Sequence, residues 1–571
     1  MEGTDGTPRA THVHHPRLLA LVAVLLVAAV VTGIVLLTRD RAPEPAGQAG
    51  ATPAGTAPVR GGTLIVTFEI EPVTLDPAIA WETEAWSIER LTYQTFLTYA
   101  RAPGSAGTTL IPDLATEVPT VANGGISPDG LVYTFHLKKG TAFAPPVSRP
   151  VTAADFKYSF ERMLREPLAP ATAFYENVKG ARAYLAGAAD GVEGFAAVDD
   201  RTVRITLDAP DAAFLTKLSM PFTSVLAKEW VDRVGDQLGR KPLGTGPYIV
   251  DGWTPGTSIT AVRNPAWTGE GRQWLDGMEF DIVTPGSALT RLEHGDADVL
   301  GDPVPPSDYQ RMKQDPAWGR LMADAPQIAW YYLFMNVREG PFQDVRVRRA
   351  VNYAIDRQRI QELAGGQGVA LDQLYPEYLP GHETTAQYYS YYPERAQSLL
   401  ASAGYSGGFK TVLVTHDVEP FPQIAEAVQR DLKAVGIEAD IQEMDRASYW
   451  NAVGLTESHI AIGVSDWYMD YPDPADWIGP LFTDPHDGSA NSSFYSDPRV
   501  DALYAESARE LDPQKRIALF REMQDAVMHG APVVPLYQPV WNAMHGATTG
   551  GFYVHPVWTF DFASYWKTDG T

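Results

Sequence analysis

The sequence predicts a mixed α/β protein. Short runs rich in β-branched and aromatic residues, such as Leu64 to Phe68 and Val132 to Leu137, have the composition of strands. Other segments carry apolar residues at helical spacing behind residues that favour a helix start. The segment from Pro422 to Gly436 runs directly into the strand-like Ile437 to Ile441. Helices and strands that alternate in this way favour α/β lobes.

The chain begins with a hydrophobic run that predicts a transmembrane helix. Residues 18–37 are apolar apart from Thr32 and Gly33, and twenty residues at helical rise span about 30 Å, which matches a bilayer core. The charges on either side orient this helix only weakly. We expect residues 18–38 to be the anchor and residues 1–17 to be a short cytoplasmic segment. A cleaved secretory signal is the alternative, although its apolar core is usually shorter, about 7–15 residues. Either interpretation predicts export of the rest of the chain.

A linker then separates this segment from a large folded body. Residues 39–60 are mostly Pro, Ala and Gly, and they lack the large apolar side chains needed to fold. The body, residues 61–571, is too long for one hydrophobic core, so two or three lobes are expected.

Five helices of the body have recognisable start signals. At Thr152 an acidic residue follows three positions later, which approximates a capping box, and elsewhere an Asp or a Pro precedes the apolar repeat. The starts are Thr152, Asp344, Pro393, Pro422 and Asp512 to Pro513. The last of these helices precedes a predicted strand at Val533 to Tyr537.

Composition excludes several classes of function. The net charge of −25 argues against nucleic acid as a partner, because phosphate binding needs concentrated Lys and Arg. The absence of cysteine excludes disulfides, cysteine-based zinc sites and a lipidated N-terminal cysteine.

No motif predicts catalysis or a cofactor. The chain has no G-x-S-x-G elbow, His382-Glu383 lacks the second histidine of a zinc protease, and Gly244-Thr245-Gly246 is typical of a structural turn. Asp470, Asp473 and Asp476 recur every third residue, whereas a calcium loop alternates its ligands and carries a glycine. We therefore expect no enzyme, no metal and no cofactor.

The order and spacing of nine segments resemble the family 5 (cluster C) extracellular solute-binding proteins, the dipeptide- and oligopeptide-binding components of ABC transporters. The segments are GGTLIVTFEIEPVTLDPA from Gly61, LVYTFHLKKGTAF from Leu131, PVTAADFKYSFERM from Pro150, PLGTGPYIVDGW from Pro242, RNPAW from Arg263, FMNVREGPFQDVRVRRAVNYAIDR from Phe334, ASAGY from Ala401, NSSFYSDPRVDAL from Asn491 and APVVPLY from Ala531. One departure is visible after Phe143, where Ala-Pro-Pro-Val-Ser-Arg replaces the family's usual turn.

The resemblance implies a two-lobed periplasmic-binding-protein type II fold with an inserted subdomain. Lobe I would take residues 61–100, 222–325 and 536–571, the inserted subdomain 101–221, and lobe II 326–535. The ligand would be enclosed between closing lobes. The implied function is capture of short peptides and their delivery to the permease and ATPases of an ABC importer. The protein would be a monomer held on the extracytoplasmic face by its N-terminal helix.

The resemblance also implies a ligand contact at Asp470, the acidic residue of the motif Trp467-Tyr468-Met469-Asp470-Tyr471. Its carboxylate would pair with the α-ammonium of a peptide, because an enclosed charge must be compensated. Other residues implied to line the pocket are Trp467, Tyr468 and Tyr471, with Trp81 and Thr83 from the first lobe. A capped turn at Asp470 is the plain structural alternative.

Two other functions remain open at this point. The same fold in relatives binds oligosaccharides, metal chelates or opines, and aromatic walls suit sugars as well. An anchored solute-sensing receptor is the second alternative, although residues 1–17 are too few for a cytoplasmic signalling domain.

Overall fold

The structure is a computed structural model that describes residues 58–269, 273–363 and 365–568. The predicted cytoplasmic segment, the anchor and nearly all of the linker lie outside these residues. Within the described part of the chain, no helix has the length and apolar character needed to cross a membrane.

Helices and strands alternate along most of the body, as predicted. The helices are α1 (Thr83–Thr92), α2 (Ala153–Arg165), α3 (Ala181–Leu185), α4 (Phe214–Lys217), α5 (Lys228–Val234), α6 (Ala288–His294), α7 (Pro306–Gln314), α8 (Val345–Ala354), α9 (Arg357–Leu363), α10 (Pro393–Ser402), α11 (Phe421–Ala434), α12 (Arg446–Ala452), α13 (Ala475–Phe482), α14 (Pro498–Ser507) and α15 (Pro513–Gly530). The strands are β1 (Thr63–Phe68), β2 (Leu97–Tyr99), β3 (Leu110–Pro112), β4 (Val132–His136), β5 (Phe195–Asp199), β6 (Thr202–Thr206), β7 (Tyr248–Thr254), β8 (Ser258–Arg263), β9 (Gly277–Ile282), β10 (Val299–Leu300), β11 (Met322–Pro326), β12 (Ala329–Met335), β13 (Gly368–Ala370), β14 (Phe409–His416), β15 (Ile437–Met444), β16 (Ile462–Tyr468), β17 (Val533–His545), β18 (Thr549–Gly550) and β19 (Trp566–Lys567).

The start signals read from the sequence are confirmed. Asp344 and Asp512 each accept hydrogen bonds from backbone N–H groups of the first helical turn. Asp155 accepts one from the backbone N–H of Thr152 at 2.9 Å. These contacts satisfy donors that have no partner inside a helix.

The main sheet has two halves that strand β17 joins. One half has the order β15-β14-β16-β12, and the other has β10-β1-β9-β8-β7. Residues 533–539 of β17 pair with β12 and β13, and residues 540–545 pair with β11 and β10. The predicted strand ended at Tyr537, but the observed strand continues to His545 because new partners take over beyond Pro539.

Strands β14, β15 and β16 are parallel to one another. Helix α11 connects β14 to β15 and buries Ile424, Val428 and Leu432 beside them. Because the three strands run the same way, their carboxyl ends meet at one edge of the sheet. Loops at such an edge commonly hold ligands.

A separate three-stranded sheet, β4-β6-β5, lies within residues 101–221 and packs against α2. The turn that departs from the family pattern adjoins it. Phe143 donates its backbone N–H to the Arg149 carbonyl at 3.0 Å, and Arg149 forms ion pairs with Asp155 at 2.7 Å and Glu229 at 2.5 Å. These contacts close the departing turn against the start of α2.

The turn Gly244-Thr245-Gly246 is structural, in agreement with the sequence interpretation. Gly246 donates its N–H to the Thr92 carbonyl at 2.8 Å, at the end of α1. A Cβ at Gly246 would lie 2.3 Å from the Leu91 carbonyl oxygen, and one at Gly244 would lie 2.3 Å from that of Thr92. The two glycines therefore let the turn pack directly on the helix backbone.

We expect the substitution Gly246→Ala to lower the free energy of unfolding by about 1–3 kcal/mol, because the added methyl group overpacks this contact. Gly407→Ala is the matched control, since its Cβ would meet nothing within 4 Å. Thermal unfolding should show a lower Tm for Gly246→Ala and an almost unchanged Tm for Gly407→Ala. Equal Tm values would mean that the turn can move away from α1 at no cost.

Candidate functional site

A cavity of about 410 Å³ lies where the carboxyl end of β16 faces the start of α1. Its volume is within the range of about 300–1,000 Å³ typical of small-molecule sites. Both halves of the main sheet and the segment after β18 contribute to its walls. The lining residues are Trp81, Glu82, Thr83, Glu84, Trp86, Ala325, Pro326, Gln327, Ile328, Arg446, Tyr468, Met469, Asp470, Trp541, Val554, His555, Pro556, Val557, Trp558 and Thr559.

Asp470 lines this cavity two residues beyond β16 and is half-buried. Met469 donates its N–H to the Ile328 carbonyl at 3.1 Å, which extends the pairing of β12 with β16 up to the cavity. Asp470 forms no ion pair with any residue that the structure describes. Burial raises the pKa of Asp470 to about 6, so its ionised form lacks full compensation. A cation that enters the cavity would provide the missing positive charge.

The other two aspartates of the triplet have different surroundings. Asp473 is buried and forms a two-pronged ion pair with Arg516, at 2.5 and 2.7 Å. Asp476 is buried in the first turn of α13 and accepts the backbone N–H of Asp470 at 2.8 Å. Burial, with the nearby charge of Asp470, raises the pKa of Asp476 well above its ordinary value. Asp476 is therefore the more readily protonated of the two, and Asp470 is the one whose carboxylate lines the cavity.

The opposite wall is aromatic and acidic. Trp81 is 41% exposed, with its ring centroid 5.3 Å from Phe222 and 6.4 Å from Trp86. Thr83, the first residue of α1, lines the cavity between Glu82 and Glu84. Burial raises the pKa of Glu84, and the charge of Glu82 adds to this effect.

The remaining residues expected at the site are placed differently. Tyr468 lines the cavity, and its hydroxyl lies 3.3 Å from that of Tyr331. Trp467 is half-buried opposite Trp330 in the strand register and does not line this cavity. Tyr471 is buried, with its ring 5.8 Å from Phe174, and is also outside the lining. The structure therefore brings together Asp470, Tyr468, Trp81 and Thr83.

Several lining residues were not foreseen. Glu82 and Glu84 flank Thr83, so the acidic and aromatic residues of the segment WETEAW were a local signal for a place in the lining. Arg446, Trp541 and Trp558 come from distant segments and have no such signal.

His555 lines the cavity as a neutral residue. Its Nδ1 accepts backbone N–H groups of Val557 and Trp558 at 3.1 Å, so Nε2 carries the proton and donates to the Ala100 carbonyl at 3.0 Å. Burial lowers its pKa to about 3, and Arg90 adds to this effect. The imidazole therefore shapes the wall without adding charge at neutral pH.

Comparisons with known proteins agree on one family. Residues 109–489 match the family described as "Bacterial extracellular solute-binding proteins, family 5 Middle". The "Heme-binding protein A" of Haemophilus influenzae is 30% identical over 450 residues, which is 76% of this chain and 80% of that protein. The "Di/tripeptide-binding protein 2" of Pseudomonas aeruginosa is 28% identical over 523 residues, 88% of this chain and 94% of that protein.

A solved structure gives the same result for the fold. The "Clavulanic acid biosynthesis oligopeptide binding protein 2" superposes with a TM-score of 0.82 at 26% identity, over 90% of this chain and 96% of that one. The names of these relatives state different ligands, heme in one and short peptides in the other two.

Proposed function

This chain belongs to the family 5 bacterial extracellular solute-binding proteins, and from that membership we propose that it captures short peptides for an ABC importer. The peptide would occupy the cavity of about 410 Å³ with its α-ammonium on Asp470, and would then pass to the permease and its ATPases. The protein would act by binding alone, without catalysis. Relatives named for dipeptide, tripeptide and oligopeptide binding support the peptide over other solutes.

The contrast between two neighbouring aspartates carries the proposal. Asp473 has its counter-ion in Arg516, whereas Asp470 lines the cavity and has none among the described residues. A partly buried carboxylate is costly unless a cation pairs with it. The α-ammonium of a peptide is such a cation, and neutral sugars do not provide one.

Thermal-shift titration of the purified protein tests this proposal. Free peptides should raise its Tm, and the same peptides with an acetylated amino group should have a much smaller effect, because acetylation removes the charge that Asp470 would pair. Equal stabilisation by both forms would refute the role of Asp470. Stabilisation by oligosaccharides, metal chelates or opines alone would leave the fold assignment unchanged and would show that the ligand is not a peptide.

Peptide affinity should fall in acid. Asp470 must be ionised to pair with an ammonium, and its pKa without ligand is raised to about 6. The ammonium favours the ionised form, so binding releases a proton below that pKa and weakens as the pH falls. Between pH 7.5 and pH 5 we expect the Kd of a free-amine peptide to rise about tenfold. Calorimetry in two buffers of different ionisation enthalpy would measure the proton release. A Kd that stays constant, with no proton released, would contradict this titration.

The lobes and their motion belong to this proposal. Lobe I would comprise residues 61–100, 222–325 and 536–571, with the subdomain 101–221 inserted and lobe II at 326–535. Strand β17 and the paired strands beside it provide the connection about which hinge closure would occur. The protein would act as a monomer.

The attachment to the membrane is proposed from sequence alone. Residues 18–38 would anchor the chain and place the body on the extracytoplasmic face, with residues 39–60 as a flexible linker. Cleavage at this segment would instead release the body. Membrane fractionation with an antibody against the body would distinguish the two outcomes. A solute-sensing receptor would differ in needing no permease or ATPase partner.

A further inference from the structure

We propose that Phe174 is a positioning residue for peptide capture, because its ring connects the two walls of the cavity and supports the segment that carries Asp470. The inference rests on the proposed function, since it concerns the same site. Phe174 itself does not line the cavity. It is half-buried in the short turn Thr172–Tyr175, within the residues proposed as the inserted subdomain.

The ring of Phe174 packs against one aromatic residue on each side of the cavity. Its centroid lies 6.4 Å from that of Trp81, with the ring planes 22° apart. It lies 5.8 Å from that of Tyr471, with the planes at 86°. Both distances are within the range of about 4.5–7 Å for attractive aromatic pairs. Trp81 lines the cavity and Tyr471 directly follows Asp470, so a single side chain connects the two walls.

The turn that carries Phe174 is fixed in its own part of the fold. Phe174 donates its backbone N–H to the Ala171 carbonyl at 3.1 Å. The next residue, Tyr175, is buried, and its hydroxyl donates to the Lys217 carbonyl at 2.7 Å. The ring of Tyr175 also packs on Phe160, with the centroids 5.6 Å apart. Because these contacts hold the turn, Phe174 can support the groups that it touches.

Lys217 gives Tyr471 a second contact with the same part of the chain. Its Nζ lies 5.4 Å from the centroid of the Tyr471 ring and forms an ion pair with Asp211 at 2.7 Å. Tyr471 is buried, and its carbonyl accepts the Asp473 N–H at 2.8 Å. Asp470 has no counter-ion among the described residues that would fix its carboxylate. Its direction therefore depends on how firmly Tyr471 is held, and charge pairing depends on that direction.

Calorimetric titration of the full-length protein with trialanine and N-acetyl-trialanine tests the inference. In Phe174→Ala the Kd of trialanine should rise about tenfold, because the ring contacts that support Tyr471 are lost. The Kd of the acetylated peptide should change by less than about twofold, since that peptide does not use the charge of Asp470. Phe174→Tyr keeps the ring and should bind both peptides as the native protein does. Leu168→Ala, at an exposed position of the same segment, is the matched control and should also behave as the native protein.

Two further variants separate positioning from a general effect on the fold. In an Asp470→Asn background, Phe174→Ala should raise the Kd of trialanine by less than about twofold, because no charge remains to be positioned. Phe174→Leu fills most of the space without a ring, so it provides the same test if the alanine variant unfolds at the temperature of the titration. It should show the same selective loss for the free-amine peptide.

Each outcome bears on a different statement. Equal losses for trialanine and its acetylated form in Phe174→Ala and Phe174→Leu overturn the positioning role and leave the proposed function. An unchanged Kd in both variants, or a tenfold loss in Phe174→Tyr, also overturns that role. A native protein that binds both peptides equally overturns the role of Asp470 and this inference with it. A native protein that binds no peptide overturns the proposed function as well.

Discussion

Replacing Asp470 by asparagine is expected to weaken the binding of a free-amine peptide by about 2–5 kcal/mol, the usual loss when one partner of a desolvated charge pair is removed. The amide keeps the size of the side chain and loses the charge that faces the cavity. The expected rise in Kd is therefore at least about thirtyfold. Calorimetric titration of native protein and Asp470→Asn with the same peptide measures it.

The acetylated peptide provides the control for this experiment. In the native protein, acetylation should cost about as much as the substitution, and in Asp470→Asn it should cost almost nothing further. The fold should be unaffected or slightly more stable near pH 7, because burial already disfavours the ionised Asp470. A variant that binds both peptides as tightly as the native protein would show that Asp470 is only part of a turn.

Local sequence patterns were sufficient for the secondary structure around the site. The start of α8 at Asp344 and the step from α11 into β15 follow from caps and periodicity, which act within a few residues. The extent of β17 did not follow in this way. Its second half pairs with β10 and β11, and strand partners are fixed by contacts between distant segments that no local pattern reports.

The residues that line the cavity could likewise be predicted only in part from the sequence. The resemblance pointed to Asp470, and the structure adds that Asp470 has no counter-ion among the described residues, whereas Asp473 has one. In the sequence the two residues are equivalent members of one acidic triplet. Arg446 could not be assigned to the cavity beforehand, because its place in the lining depends on the order of distant strands, β15-β14-β16.

Replacing Asp473 by alanine is expected to lower the free energy of unfolding by about 3–5 kcal/mol, the usual cost of breaking a buried ion pair from one side. Arg516 would remain buried without a counter-ion, with its side chain only 13% exposed. The Ala475 N–H would also lose the Asp473 oxygen that it contacts at 2.9 Å. Thermal and denaturant unfolding at pH 7 should both show the loss.

A second substitution separates the ion pair from the packing around it. Because an apolar pair of similar volume avoids the buried unpaired charge, Asp473→Leu combined with Arg516→Met should recover much of the stability lost in Asp473→Ala. Folded Asp473→Ala should still distinguish free from acetylated peptides, since Asp470 keeps its charge. Substitution of Asp470 would thus weaken peptide binding, whereas substitution of Asp473 would lower the stability of the fold. An Asp473→Ala protein of native Tm that had lost the preference for a free amino group would reverse their roles, and with them the site proposed here.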